Sequence, residues 1–210
     1  MVIKAKRVKK NKTTRVRKKL LLVGTEGNNK TEKIYLREME RRQNDYHILF
    51  APGNETDPVN IVKNTIRAKN KEALSSKKGD IAISVFDLDA EEKKKPQLSE
   101  AKRLAEKGNV QIITSNPCFE VWYLEHFGYT SKNFQNSSEV IKDLVKHCPR
   151  YQKNSCDFEL FYPLTEVAIE NCKLLKEFHE NHGFEVIDEF NNPRTDVYKV
   201  VELLFDGSKE

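Results

Sequence analysis

The chain has 210 residues, 38% hydrophobic and 33% charged, with a mean hydropathy of -0.71. That size supports one α/β domain with an appendage, or two small domains. No apolar run approaches the roughly 18 residues of a membrane span, and the absence of an apolar h-region points to a cytoplasmic protein. The net charge of +5 is unevenly spread: residues 1–19 hold ten of the 37 Lys and Arg and no acidic residue, leaving 27 basic against 32 acidic residues elsewhere. A basic arm on a mildly acidic body suits a polyanionic partner, nucleic acid above all, and no membrane. Cys118, Cys148, Cys156 and Cys172 form no C-x-x-C pair and read as reduced, packed thiols.

Residues 1–18 read as the basic tail, with Lys18 and Lys19 leading into the first strand and placed among the candidate substrate contacts. Leu20, Leu21, Leu22 and Val23 have the pattern of a strand buried on both faces, and it stops at a Gly24-Thr25-Glu26-Gly27 turn whose glycines allow a sharp bend. Asn28 or Asn29 can cap a helix with Ile34, Tyr35, Leu36 and Met39 on its apolar face. Residues 46–51 suggest a second strand. Asp57-Pro58 is an N-cap with proline at N1 for the helix that follows.

Residues 81–86 are the strongest buried strand. Residues 91–97 carry Pro96 and read as an exposed loop, and residues 99–107 as a short amphipathic helix. Val110, Ile112 and Ile113 give a fourth strand, ending at Thr114-Ser115-Asn116-Pro117. A helix with Phe119, Val121, Trp122, Leu124 and Phe127 follows. Alternation of this kind predicts an α/β fold with a mostly parallel four-stranded sheet flanked by helices over residues 19–128. Residues 129–210 read as a helical C-terminal extension packed on it, with helices near 140–145, 167–178 and 197–205 and a possible strand at 184–187. The five histidines show no metal spacing, and His179 and His182 are expected in solvent.

Three carboxylates occupy predicted strand tips: Glu26, Asp87 and Asp89. In extended backbone Asp87 and Asp89 point the same way, about 6 to 7 Å apart, and an adjacent first strand brings in Glu26. Oxygen donors of this kind select Mg²⁺ or Mn²⁺, which could neutralise charge during displacement at phosphorus. Glu26, on a glycine turn beside other acids, is the candidate for acid–base work. Glu120, at the start of a helix, could join the metal shell or bond a water ligand. Asn116 could cap that helix or hold a phosphate, and Lys30 could neutralise one. Two other motifs compete. Residues 24–31 nearly match a P-loop, but Asn29 replaces the second glycine. The D-x-D also opens the aspartyl-phosphate motif of haloacid-dehalogenase-like phosphatases, but Glu91 stands where Thr or Val belongs.

A strand ending in Glu-Gly, then a helix, then a strand ending in Asp-x-Asp resembles the Toprim pattern. The blocks VGTEGNNKTEKIY, VFDLD, TSNPCFEVWYLEHF and NPRTDVYKVVELL, in that order, resemble the RloB family. The resemblance implies a Toprim-like, Rossmann-like α/β fold and a divalent-metal nuclease, with Glu26 as general acid/base and Asp87 and Asp89 as metal ligands. It also implies a prokaryotic anti-phage or restriction-associated setting and an AAA or SMC-like ATPase as partner. DNA or RNA as substrate, and self-association, stay open. The rival expectation is a non-catalytic nucleic-acid-binding or regulatory subunit of that ATPase.

Overall fold

The computed structural model describes residues 17–27, 31–89, 95–155, 157–181 and 191–205. In chain order the elements are β1 (Lys19–Thr25), α1 (Thr31–Arg41), β2 (Tyr46–Phe50), α2 (Pro58–Lys71), β3 (Ile81–Asp87), α3 (Lys95–Gly108), β4 (Gln111–Asn116), α4 (Glu120–Glu125), α5 (Ser137–His147), α6 (Phe158–Phe161), α7 (Thr165–Asn181), β5 (Arg194–Thr195) and α8 (Val197–Leu204). The strands form one sheet in the order β2-β1-β3-β4-β5. The first four are parallel, and β5 runs antiparallel to β4, pairing Thr195 with Ser115. The sheet therefore has five strands where the sequence suggests four. The added strand is only two residues long, too short to leave a periodic signal, and the strand expected at 184–187 lies outside the described residues.

Side chains alternate across the sheet and build two cores. Leu21, Val23, Ile83, Val85 and Ile113 face α1, α4, α5, α7 and α8. Leu22, Ala82 and Phe86 face α2 and α3. Helices α5, α7 and α8 thus contribute to the same core as the parallel strands. Among the described residues no helix is long and apolar enough to cross a membrane.

Several local signals act as the sequence predicts. Asp57 Oδ1 accepts from the Asn60 backbone N–H at 3.0 Å, capping α2 ahead of Pro58. Trp122 and Phe119 are buried in the core. Pro96, expected in a loop, instead sits in the first turn of α3, where its missing N–H has no helical partner to lose. His179 is buried rather than solvated, because α7 packs beneath the segment entering β5 and its Nε2 lies 2.8 Å from Pro193 O.

The glycines of the first turn serve close approach rather than bending. Gly24 lies inside β1, and a Cβ there would stand 1.9 Å from Thr65 Oγ1 on α2. A Cβ on Gly27 would stand 2.1 Å from Asn54 Cα, next to the 3.0 Å bond from Gly27 N–H to Glu55 O.

Candidate metal centre

The strand order makes the site. From β1 the chain moves outward to β2, then crosses back to β3 and on to β4 in the other direction. The connections diverge between β1 and β3, and a parallel sheet opens a crevice at such a switch point, beyond the carboxyl ends of its strands. Thr25 pairs with Val85 across that boundary. Glu26 follows directly, and Asp87 is the last residue of β3.

Asp87 is buried and Glu26 half-buried. Beyond Asp87 the backbone leaves the extended form: Leu88 N–H bonds Ser115 O at 2.9 Å, Asp89 N–H bonds Pro117 O at 2.9 Å, and Asp89 takes a φ of +54°. Asp is among the few residues that tolerate this left-handed region. The two aspartates therefore do not sit on one face of a continuing strand. Leu88 turns into the core and Asp89 is exposed.

Two helices complete the acidic rim. Glu32 lies in the first turn of α1, three residues before Tyr35, so the face that buries Tyr35 also turns Glu32 inward. Glu120 opens α4, three residues before Tyr123, and is likewise buried. Behind both acids the rings are packed edge to face: Tyr35 against Phe119 at 6.0 Å, Phe119 against Tyr123 at 5.3 Å. This apolar backing makes unscreened charge costly. Burial pushes Asp87 well above the usual carboxylate range, and the charges of Glu32, Glu120, Glu26 and Asp89 push it further, in that order. Burial lifts Glu32 to about 8, with Glu120 and Glu26 adding and Lys153 opposing. A cluster under this strain is relieved by a proton or by a cation.

Of the sequence-predicted residues, the structure thus brings together Glu26, Asp87, Asp89 and Glu120. Among the described residues, however, no three His, Cys, Asp or Glu side chains form a ready-made metal-ligand group. The donor set is all oxygen, which fits Mg²⁺ or Mn²⁺ and not zinc. Lys30 lies outside the described residues. Asn116 is buried, and its Nδ2 donates to Asn191 O at 3.2 Å, so its amide is engaged with the chain entering β5. Lys18 and Lys19 are exposed at the start of β1, with Lys19 over the Tyr46 ring. The length of a seven-residue strand, roughly 23 Å at ~3.3 Å per residue, separates them from the rim.

Sequence reasoning missed Glu32, Tyr151 and Lys153. For Glu32 a signal exists: it precedes Tyr35, Leu36 and Met39 by three, four and seven residues, on the buried stripe of α1. No local pattern marks Tyr151 or Lys153, which arrive from the connection after α5. The Tyr151 hydroxyl donates to Glu120 Oε1 at 2.7 Å.

Comparison with curated proteins gave no match, and neither did comparison with solved structures. Over residues 21–204 the chain matches the family model described as RloB-like protein. It belongs to that family.

Proposed function

We propose that this chain is a divalent-cation-dependent phosphodiesterase of Toprim-like architecture, a nuclease subunit in a prokaryotic anti-phage or restriction-associated system. The observation that supports it most is the departure of Glu26 and Asp87 from neighbouring parallel strands at the switch point, with Glu32 and Glu120 bearing on Asp87 from below. Glu26, Asp87, Asp89 and Glu120, joined by Glu32, are the residues that would hold Mg²⁺ or Mn²⁺. When bound, such a cation neutralises charge on a phosphoryl oxygen and favours ionisation of water.

The chain's own residues divide the remaining work. Asp87, buried and crowded by acids, is poorly suited to stay charged alone and well suited to hold a cation. Glu26 is less buried and sits at the mouth of the crevice, where it can take the proton of an attacking water. The apolar wall of Tyr35, Phe119 and Tyr123 excludes bulk water from the lower side. An AAA or SMC-like ATPase as partner belongs to the same proposal.

The test is incubation of labelled single- and double-stranded DNA and RNA with the purified chain, alone and with the partner ATPase, in Mg²⁺ or Mn²⁺. Metal-dependent cleavage that disappears in Asp87→Asn is the expected result. Cleavage that survives in Asp87→Asn overturns the reading. Nucleic acid bound but never cut in either setting favours a regulatory subunit instead.

A further inference from the structure

Residues 148–155, between α5 and α6, are built against the acidic rim. Cys148 and Tyr151 are buried and anchor the segment, with Tyr151 N–H bonding Cys148 O at 2.9 Å. The Tyr151 ring packs edge-on to Tyr123 at 5.8 Å. Its hydroxyl reaches Glu120. The Asn154 backbone N–H donates to Thr31 Oγ1 at 3.2 Å. One loop is therefore tied both to the helix that carries Glu32 and to the helix that carries Glu120.

The tip of that loop is closed by its own bonds. Gln152 N–H donates to Ser155 Oγ at 3.3 Å, Ser155 Oγ to Gln152 O at 2.6 Å, and Asn154 takes a φ of +65°. Between them Lys153 is exposed, and its charge acts on Glu32. A polyanion approaching a rim of five carboxylates is repelled by each acid that no cation neutralises. An ammonium held beside the rim on an anchored turn offsets that repulsion where a phosphate would arrive.

We propose that residues 148–155 form the substrate wall of the rim, with Lys153 receiving a phosphate of the nucleic acid and Tyr151 acting as a positioning residue for Glu120. The proposal rests on the nuclease reading above. Lys153 lies at the rim, whereas the basic N-terminal arm joins the sheet at the far end, so the two make separable contributions.

The test uses the full chain and two readouts. Binding of a fluorescein-labelled oligonucleotide, DNA and RNA in turn, is followed by anisotropy in Ca²⁺ across a salt series. Lys153→Ala should weaken binding about fivefold or more and lower the slope of log K against log salt by about 1, while Lys153→Arg stays near the parent. Uptake of Mn²⁺ is measured by calorimetry without nucleic acid. Lys153→Ala should bind Mn²⁺ as tightly as the parent or more tightly, because a nearby positive charge is gone. Tyr151→Phe, which keeps the ring, should bind it about tenfold more weakly as Glu120 loses its partner.

Affinity and slope unchanged in Lys153→Ala, with Mn²⁺ uptake by the parent intact, overturn the role of Lys153 and leave the nuclease reading standing. Unchanged Mn²⁺ affinity in Tyr151→Phe overturns the positioning role. A parent that takes up no Mn²⁺ overturns the nuclease reading and this proposal with it.

Discussion

Among the charges around Asp87, that of Glu32 bears on it most strongly, although one residue ends a strand and the other begins a helix on the sheet's face. Both are buried. In the metal-free protein they hold protons more tightly than in the unfolded chain. Stability from that source is fully present at low pH and is lost as pH rises, for Glu32 between about 4.5 and about 8. Asp87→Asn should therefore stabilise the metal-free protein at pH 8 by about 1–3 kcal/mol, raising its melting temperature by several degrees. Millimolar Mg²⁺ or Mn²⁺ should raise the melting temperature of the parent and not of the variant. Differential scanning fluorimetry with and without the ions checks both, and a parent indifferent to the ions counts against a shared site.

A second acid tests burial away from the rim. Glu125 on α4 is fully buried, and among the described residues neither of its carboxylate oxygens has a hydrogen-bond partner. Burial pushes it up to about 8. Its contribution is present below about 4.5 and lost as pH rises to about 8. Glu125→Gln should melt higher than the parent at pH 8 and nearly with it at pH 5. The neighbouring His126 has the opposite sign: burial holds it down to about 4, so its contribution falls away as pH drops from 6.5. In Glu125→Gln the acid-side loss should therefore persist while the alkaline loss shrinks. Melting curves from pH 4 to 9 read both.

Gly24 is set by its neighbour across the layer. Thr65, fully buried, donates to Ile61 O at 2.9 Å and accepts from Ser84 Oγ at 2.9 Å. Gly24→Ala drives a methyl into that hydroxyl and should cost about 1–3 kcal/mol in urea unfolding. Adding Thr65→Ala should recover part of the loss. Equal stability of Gly24→Ala and parent would mean that α2 is free to shift away from β1.

Deleting residues 1–16, which carry seven Lys and Arg and no acidic residue, should weaken nucleic-acid binding and flatten its salt dependence. It should leave the melting temperature nearly unchanged, because Arg17 stays to pair with Asp80 at 2.9 and 3.0 Å. Asp80 also accepts from the Leu20 and Ser75 backbone N–H groups, and these bonds hold its carboxyl down to about 2. An undiminished salt slope in the deletion would assign the arm to solubility alone.

Where one residue's neighbours lie within a turn of sequence, the chain discloses its structure directly. The apolar runs at β1 and β3 and the Asp57-Pro58 cap are of that kind. Other features are decided by contacts made at a distance. Asp89 looks like the second tooth of an extended D-x-D, but its conformation is set by the Pro117 carbonyl. His179 reads as a surface residue until the segment before β5 folds over it. Glu32 was readable, since it continues the stripe of α1, yet a glutamate on an apolar face is easily passed over as a capping charge. Tyr151 and Lys153 owe their place wholly to the return of the chain after α5.

The span of β1 has a consequence for ligand length. Under the proposed function, β1 sets roughly 23 Å between Lys19, where the described chain enters the sheet, and the acids beyond Thr25. At ~3.4 Å per base pair that is about seven pairs of duplex. A fragment shorter than this would engage one end or the other. If the arm binds nucleic acid as proposed, a longer one stays tethered while its distal part samples the crevice at raised effective concentration.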